Sequence, residues 1–152
     1  MRTYQDNFNA DFTCKQCGGF VSAEIMLSGV VNRNHCPYCL HSRHVDLFEP
    51  GDRLCACKSL MVPIGLTQKN VRDKYAHHHQ GELMLIHRCL NCGALSINRI
   101  AADDDPEKLQ AVFFNSQMLD SKLHSRYERE LIQPLKIKDQ DLVKERLFGI
   151  CG

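Results

Sequence analysis

Eight of the nine cysteines in this chain fall in four close pairs, Cys14/Cys17, Cys36/Cys39, Cys55/Cys57 and Cys89/Cys92. Three of those pairs have the C-x-x-C spacing that lets two thiolates hold one tetrahedral metal ion. Eighteen residues separate Cys17 from Cys36, within the interval of about 15 to 20 residues that marks a ribbon-type zinc site. The remaining two pairs are less regular, because Cys55-Ala-Cys57 is one residue short and thirty-one residues separate Cys57 from Cys89. The spacing therefore predicts two zinc ions per chain, the first on Cys14, Cys17, Cys36 and Cys39 and the second drawn from Cys55, Cys57, Cys89 and Cys92.

A disulfide framework would need an oxidising compartment. The segment Met1–Ala10 has no apolar run of the kind that directs secretion, so the expectation is a cytoplasmic protein in a reducing environment. Cys151 has no close partner and is expected to be a free or merely packed thiol. No apolar stretch is long enough to cross a bilayer, so no membrane partner is expected. The formal net charge of +1 conceals an asymmetry: residues 1–102 carry net +3 and residues 103–152 net −2. Because each four-thiolate zinc site adds further negative charge, a generic polybasic nucleic-acid binder is not the expectation.

The hydrophobic pattern changes near position 103. Before it, short apolar stretches alternate with cysteine knuckles and turn residues: Phe20–Val31, Leu40–Phe48, Leu60–Leu66, Leu83–His87 and Ala94–Ile100 read as strands. Leu83–Arg88, the knuckle Cys89–Gly93 and Ala94–Ile100 together predict a hairpin tipped by metal. After Asp103-Asp104-Asp105-Pro106 the period becomes helical. Asp105 is the expected N-cap, Pro106 the first helical residue, and Leu109, Val112 and Phe113 share a face. Leu119, Leu123, Tyr127 and Leu131 predict a second helix stopped by Pro134, and Asp139–Phe148 before Gly149 a third. The expected fold class is α+β: two small zinc-ribbon-like β units over residues 1–102, then a helical C-terminal extension over residues 103–152. The helical stripes pack on the ribbons in this reading; the alternative is that they dock a protein partner.

The run Arg33-Asn34-His35-Cys36-Pro37, with Phe12–Gly18, His44–Asp46, Pro50–Arg53, Leu60–Gly65 and Ile86–Gly93 in the same order, resembles the bacterial RNHCP-domain family. The resemblance spans residues 12–102 and implies a zinc-ribbon-like fold, without implying an activity. Where that family has a single cysteine followed by two small residues, this chain has Cys55-Ala-Cys57-Lys-Ser. His87 therefore competes with Cys55 for the second site, since on an extended strand it faces the same way as Cys89. Cys36-Pro-Tyr-Cys39 also matches the dithiol of glutaredoxin-like oxidoreductases. In those proteins the dithiol opens a helix that lowers the first thiol's pKa, whereas Leu40–Gly51 has poor helical character.

No constellation for catalysis stands out, because two closed thiolate sites leave no open metal position. The remaining expectation is contact with RNA or a ribonucleoprotein such as the ribosome. Arg33, His35, His41, Arg43 and His44 form one basic cluster beside the first site, whose structural alternative is to donate hydrogen bonds to the thiolates and neutralise them. Lys69, Arg72, Lys74 and the aromatic Tyr75 form another, near His77-His78-His79, which reads as an exposed loop. A protein partner held through residues 103–152 and a thiol oxidoreductase acting through Cys36 and Cys39 are the alternatives.

Overall fold

The computed structural model describes residues 11–29, 33, 35–45, 54–69, 82–118 and 121–149. Phe12–Thr13 (β1) and Phe20–Val21 (β2) pair antiparallel around the first cysteine knuckle. The strand expected over Phe20–Val31 is thus only two residues long. Glu24 accepts a hydrogen bond from Met26 N at 3.3 Å, and this cap diverts the chain into the single helical turn Ile25–Ser28 (α1), closed by Gly29 at φ 70°.

The second sheet has four antiparallel strands in chain order: Ser42–Arg43 (β3), Leu60–Gln68 (β4), Leu83–Cys89 (β5) and Leu95–Arg99 (β6). The strand expected over Leu40–Phe48 shrinks to β3, with residues 46–48 lying outside the described residues. Pro63 stands within β4, and the register with β5 shifts between Pro63 and Gly65. A residue without an N–H interrupts the ladder, and a bulge absorbs the irregularity.

β5 explains why the sheet has helices around it. Leu83 and Leu85 join Leu40, Leu66, Leu109, Phe113, Leu135 and Val143 in one buried cluster, whereas Ile86 joins Tyr127 and Ile132 in another. Successive strand residues point to opposite faces, so β5 is covered on both. Its continuous apolar run Leu-Met-Leu-Ile follows from that double burial.

The helices are Pro106–Ser116 (α2), Ser121–Arg129 (α3) and Gln140–Phe148 (α4), the last preceded by a 3-10 turn at Ile137–Asp139. Asp105 caps α2 as expected, accepting from Glu107 N at 2.9 Å and Lys108 N at 3.4 Å. Gly149 closes α4 at φ 67°. The second helix ends earlier than its four-residue spacing predicts. Leu131 takes φ 57°, while Ile132 N reaches back to Tyr127 O at 2.9 Å and Leu131 N to Glu128 O at 3.2 Å. This is a Schellman closure with leucine where glycine is usual, and it leaves Leu131 82% exposed instead of continuing the apolar stripe. The buried clusters combine residues from both sides of position 103, and the mixed architecture is α+β.

Candidate metal centres

Each knuckle is built by backbone hydrogen bonds that curl the chain around a sulfur atom. At the first, Cys14 N donates to Gly19 O and Gly18 N to Cys14 O, both at 2.9 Å, while Gln16 N points at Cys14 Sγ at 3.4 Å. The second repeats the pattern: Cys36 N donates to His41 O at 2.9 Å, Leu40 N to Cys36 O at 2.8 Å, and Tyr38 N points at Cys36 Sγ at 3.4 Å. The third does so through Cys89 N to Ala94 O at 2.9 Å and Gly93 N to Cys89 O at 3.0 Å.

One backbone feature recurs through both centres. The residue after Cys17, Cys39, Cys57 and Cys92 is left-handed in every case: Gly18 at φ 76°, Leu40 at 65°, Lys58 at 51° and Gly93 at 76°. Glycine adopts this region freely and other residues at a cost of order 1 kcal/mol. Leu40 is fully buried in the sheet core, and that burial offsets its strain. Lys58 marks Cys57, and not Cys55, as the knuckle cysteine.

The sulfur atoms of Cys14, Cys17, Cys36 and Cys39 all lie within 4.8 Å of one another, with Cys14 to Cys39 at 3.5 Å and Cys17 to Cys36 at 3.6 Å. A tetrahedral zinc with Zn–S bonds of about 2.3 Å separates its sulfurs by about 3.8 Å, so the four residues fit the ion. No described cysteine is in a disulfide. Burial pushes the Cys36 and Cys39 thiols up in the metal-free chain. Burial also opposes ionisation of Cys14, but the backbone N–H groups of Cys17 and Gln16 more than offset it and lower that thiol. A bound dication would hold all four as thiolates.

The second group is His44, Cys57, Cys89 and Cys92, again with ligand atoms within 4.8 Å of one another. Cys57 Sγ lies 3.7 Å from Cys89 Sγ and His44 Nδ1 3.3 Å from Cys92 Sγ. Hydrogen bonds from Ser59 and Asn91 pull the Cys57 thiol down to about 5, the Asn91 amide lying 3.5 Å from its sulfur. Imidazole and three thiolates form a normal zinc set.

Neither residue expected to complete this centre does so. Cys55 is buried outside the cluster, its N–H donating to Val45 O at 2.9 Å. His87 is fully buried with both ring nitrogens engaged: Nε2 lies 2.6 Å from Leu40 O and Nδ1 2.9 Å from Asn98 Nδ2. Burial, reinforced by the nearby His35, lowers its pKa to about 3, so the ring is neutral, donating through Nε2 and accepting at Nδ1. No nitrogen is left for a metal. Position alone made His87 attractive, whereas His44 sits just beyond β3, where β4 brings it beside the β5 knuckle.

The expected basic surface is also rearranged. Arg33 and His35 are each only 2% exposed. Arg33 grips Asp103 with Nη1 at 2.8 Å and Nη2 at 2.7 Å, and His35 Nε2 lies 2.6 Å from Asp104 Oδ2. Both side chains are thus turned inward onto carboxylates, and His44 belongs to the metal group. Arg43 is half-buried on β3 and Lys69 exposed at the end of β4, while Arg72, Lys74, Tyr75 and His77–His79 lie outside the described residues. Asp103 and Asp104 were missed as partners because nothing local in the sequence connects them to Arg33 and His35.

A family model of the RNHCP domain matches residues 9–110. The chain belongs to the RNHCP domain family. No curated protein and no solved structure matches it. The RNHCP domain contains both ligand groups, and it runs past the three aspartates into the first turns of α2. Among the described residues no helix is long and apolar enough to cross a membrane.

Proposed function

We propose that this RNHCP protein is a non-catalytic, zinc-stapled module of the cytoplasm, with zinc held structurally at Cys14/Cys17/Cys36/Cys39 and at His44/Cys57/Cys89/Cys92. The observation that carries the reading is that each cluster offers four protein ligands, which closes a tetrahedral ion and leaves no position for a substrate or an activated water. Zinc fits better than a harder dication because thiolate-rich donor sets select it. A thiol oxidoreductase is disfavoured because Cys36 is fully buried and its sulfur faces the other three of the four-cysteine group, 3.6 Å from Cys17 Sγ, rather than an incoming substrate. Thiols gathered at metal-ligand distance are the kind of site that persists in a reducing compartment, which supports that location.

Contact with RNA or a ribonucleoprotein such as the ribosome remains the proposed role. With Arg33, His35 and His44 engaged elsewhere, it rests on Arg43 and on the exposed Lys58 and Arg88 near the second centre. A protein partner on the C-terminal helices is the second reading, supported by Met118 and Leu131, 88% and 82% exposed. Pull-down from lysate with and without nuclease, followed by salt titration, separates the two. RNA contact weakens steeply between low and moderate salt, whereas capture that survives nuclease and high salt would replace the RNA reading by the protein one.

A further inference from the structure

We infer that Arg33 and His35 form a bolt coupling metal binding at the first centre to the docking of α2. The inference rests on the proposed metal site at Cys14, Cys17, Cys36 and Cys39.

Three consecutive aspartates meet the Arg33–Pro37 run at three points. Asp103 takes both Arg33 Nη atoms at 2.8 and 2.7 Å. Asp104 Oδ2 lies 2.6 Å from His35 Nε2 and accepts Ala101 N at 2.8 Å, while its Oδ1 stands 3.6 Å from Arg33 Nη2. Asp105 N donates to Pro37 O at 3.1 Å, and the side chain of the same residue caps α2. Arg33 Nε also reaches His35 O at 3.3 Å, so the bolt is braced against its own backbone.

Cys36 stands between His35 and Pro37 and is a ligand of the centre. Beyond the knuckle, Leu40 enters the same buried cluster as Leu109 and Phe113 of α2. The side chains of Arg33 and Asp104 are fully buried. A buried charge whose partner is displaced is strongly unfavourable, so moving the knuckle away from the aspartate run is costly on both sides, although Asp104 Oδ1 itself accepts no hydrogen bond among the described residues. If the metal leaves, the four thiols no longer pin the backbone between Cys36 and Cys39, the bolt loses its geometry, and the start of α2 is released. By linkage, a weakened bolt lowers metal affinity at the first centre by the same factor, although neither Arg33 nor Asp103 touches the ion. Arg33 and His35 are positioning residues, acting through Cys36 and through the α2 N-terminus.

The test uses the full-length zinc-loaded protein under graded chelator. Cysteine alkylation read by mass spectrometry reports which centre has opened, and amide exchange is followed over residues 106–116. Protection of α2 should fall in step with alkylation of Cys14, Cys17, Cys36 and Cys39. An α2 that stays protected after those thiols react overturns the coupling while leaving the metal site intact; a chain that holds no metal on those thiols from the outset overturns both. In a second arm, Asp103→Asn keeps the side-chain volume and removes the charge pair. It should accelerate alkylation at the first centre by about tenfold and leave Cys57, Cys89 and Cys92 unchanged. Equal acceleration at both centres, or none at the first, overturns the bolt.

Discussion

At the scale of single residues, what a side chain does here depends on which of its atoms are already in use. His44 and His87 were equally available to a metal by residue type, yet His87 has both nitrogens engaged at 2.6 and 2.9 Å. His44→Ala should therefore remove one of two zinc ions measured by elemental analysis, while Cys55→Ser keeps both; retention of two ions in His44→Ala would exclude it as a ligand. Tyr127 is the opposite case, a polar atom with too few uses. Its hydroxyl is buried without a hydrogen-bond partner among the described residues, and burial pushes its pKa up to about 12. Tyr127→Phe should raise unfolding stability by about 1 kcal/mol, since an unsatisfied buried hydroxyl costs of that order. The pH dependence follows from the raised value: the unfolded chain ionises near the ordinary phenol pKa of about 10 and the folded chain near 12. Below the lower value the group adds no pH dependence, and stability falls as pH rises between the two, where only the unfolded chain ionises. Ultraviolet titration of tyrosinate should show a late step that disappears in Tyr127→Phe.

Among the elements, the parts legible in the sequence were those whose signals are local. The Cys89–Gly93 hairpin, the Asp105-Pro106 helix start and the Gly149 stop lie where turn and cap chemistry put them. The first metal group was legible for the same reason, as two regular knuckles. What failed were strand lengths near α1 and β3 and the end of α3, where a cap or a pairing partner decided the outcome instead of periodicity. Leu131 shows this clearly, because its four-residue spacing from Tyr127 predicts burial but the closure of α3 turns it outward. Leu131→Gly should stabilise the fold by about 1 kcal/mol in chemical denaturation, since glycine takes φ 57° without strain; a loss of similar size would mean the side chain packs against something. Phe113 is the converse, wholly buried between sheet and α4, and Phe113→Ala should cost about 3 to 5 kcal/mol.

For the molecule as a whole, the core is expected to depend on the two centres that border it. Protein purified without chelator should carry close to two zinc ions, and stripping both should abolish the cooperative thermal transition, because a structural site of this kind contributes about 10 to 16 kcal/mol of apparent binding energy, comparable to the stability of a domain. A metal-free chain that melts cooperatively at the same temperature would refute the stapling. The long-range partners, His44 with the β5 knuckle and Arg33 with Asp103, were invisible in sequence because they span loops whose closure nothing local announces. That difference in span has a consequence for how the chain is made. All ligands of the first centre lie within residues 14–39, whereas the second must wait for Cys92. On a growing chain the first centre can capture its ion early, yet its bolt has nothing to close on until Asp103 and Asp104 have emerged. If the proposed metal site and bolt both hold, a chain under synthesis passes through a metal-bearing, unlatched state that is fastened only when the helices arrive to cover the sheet.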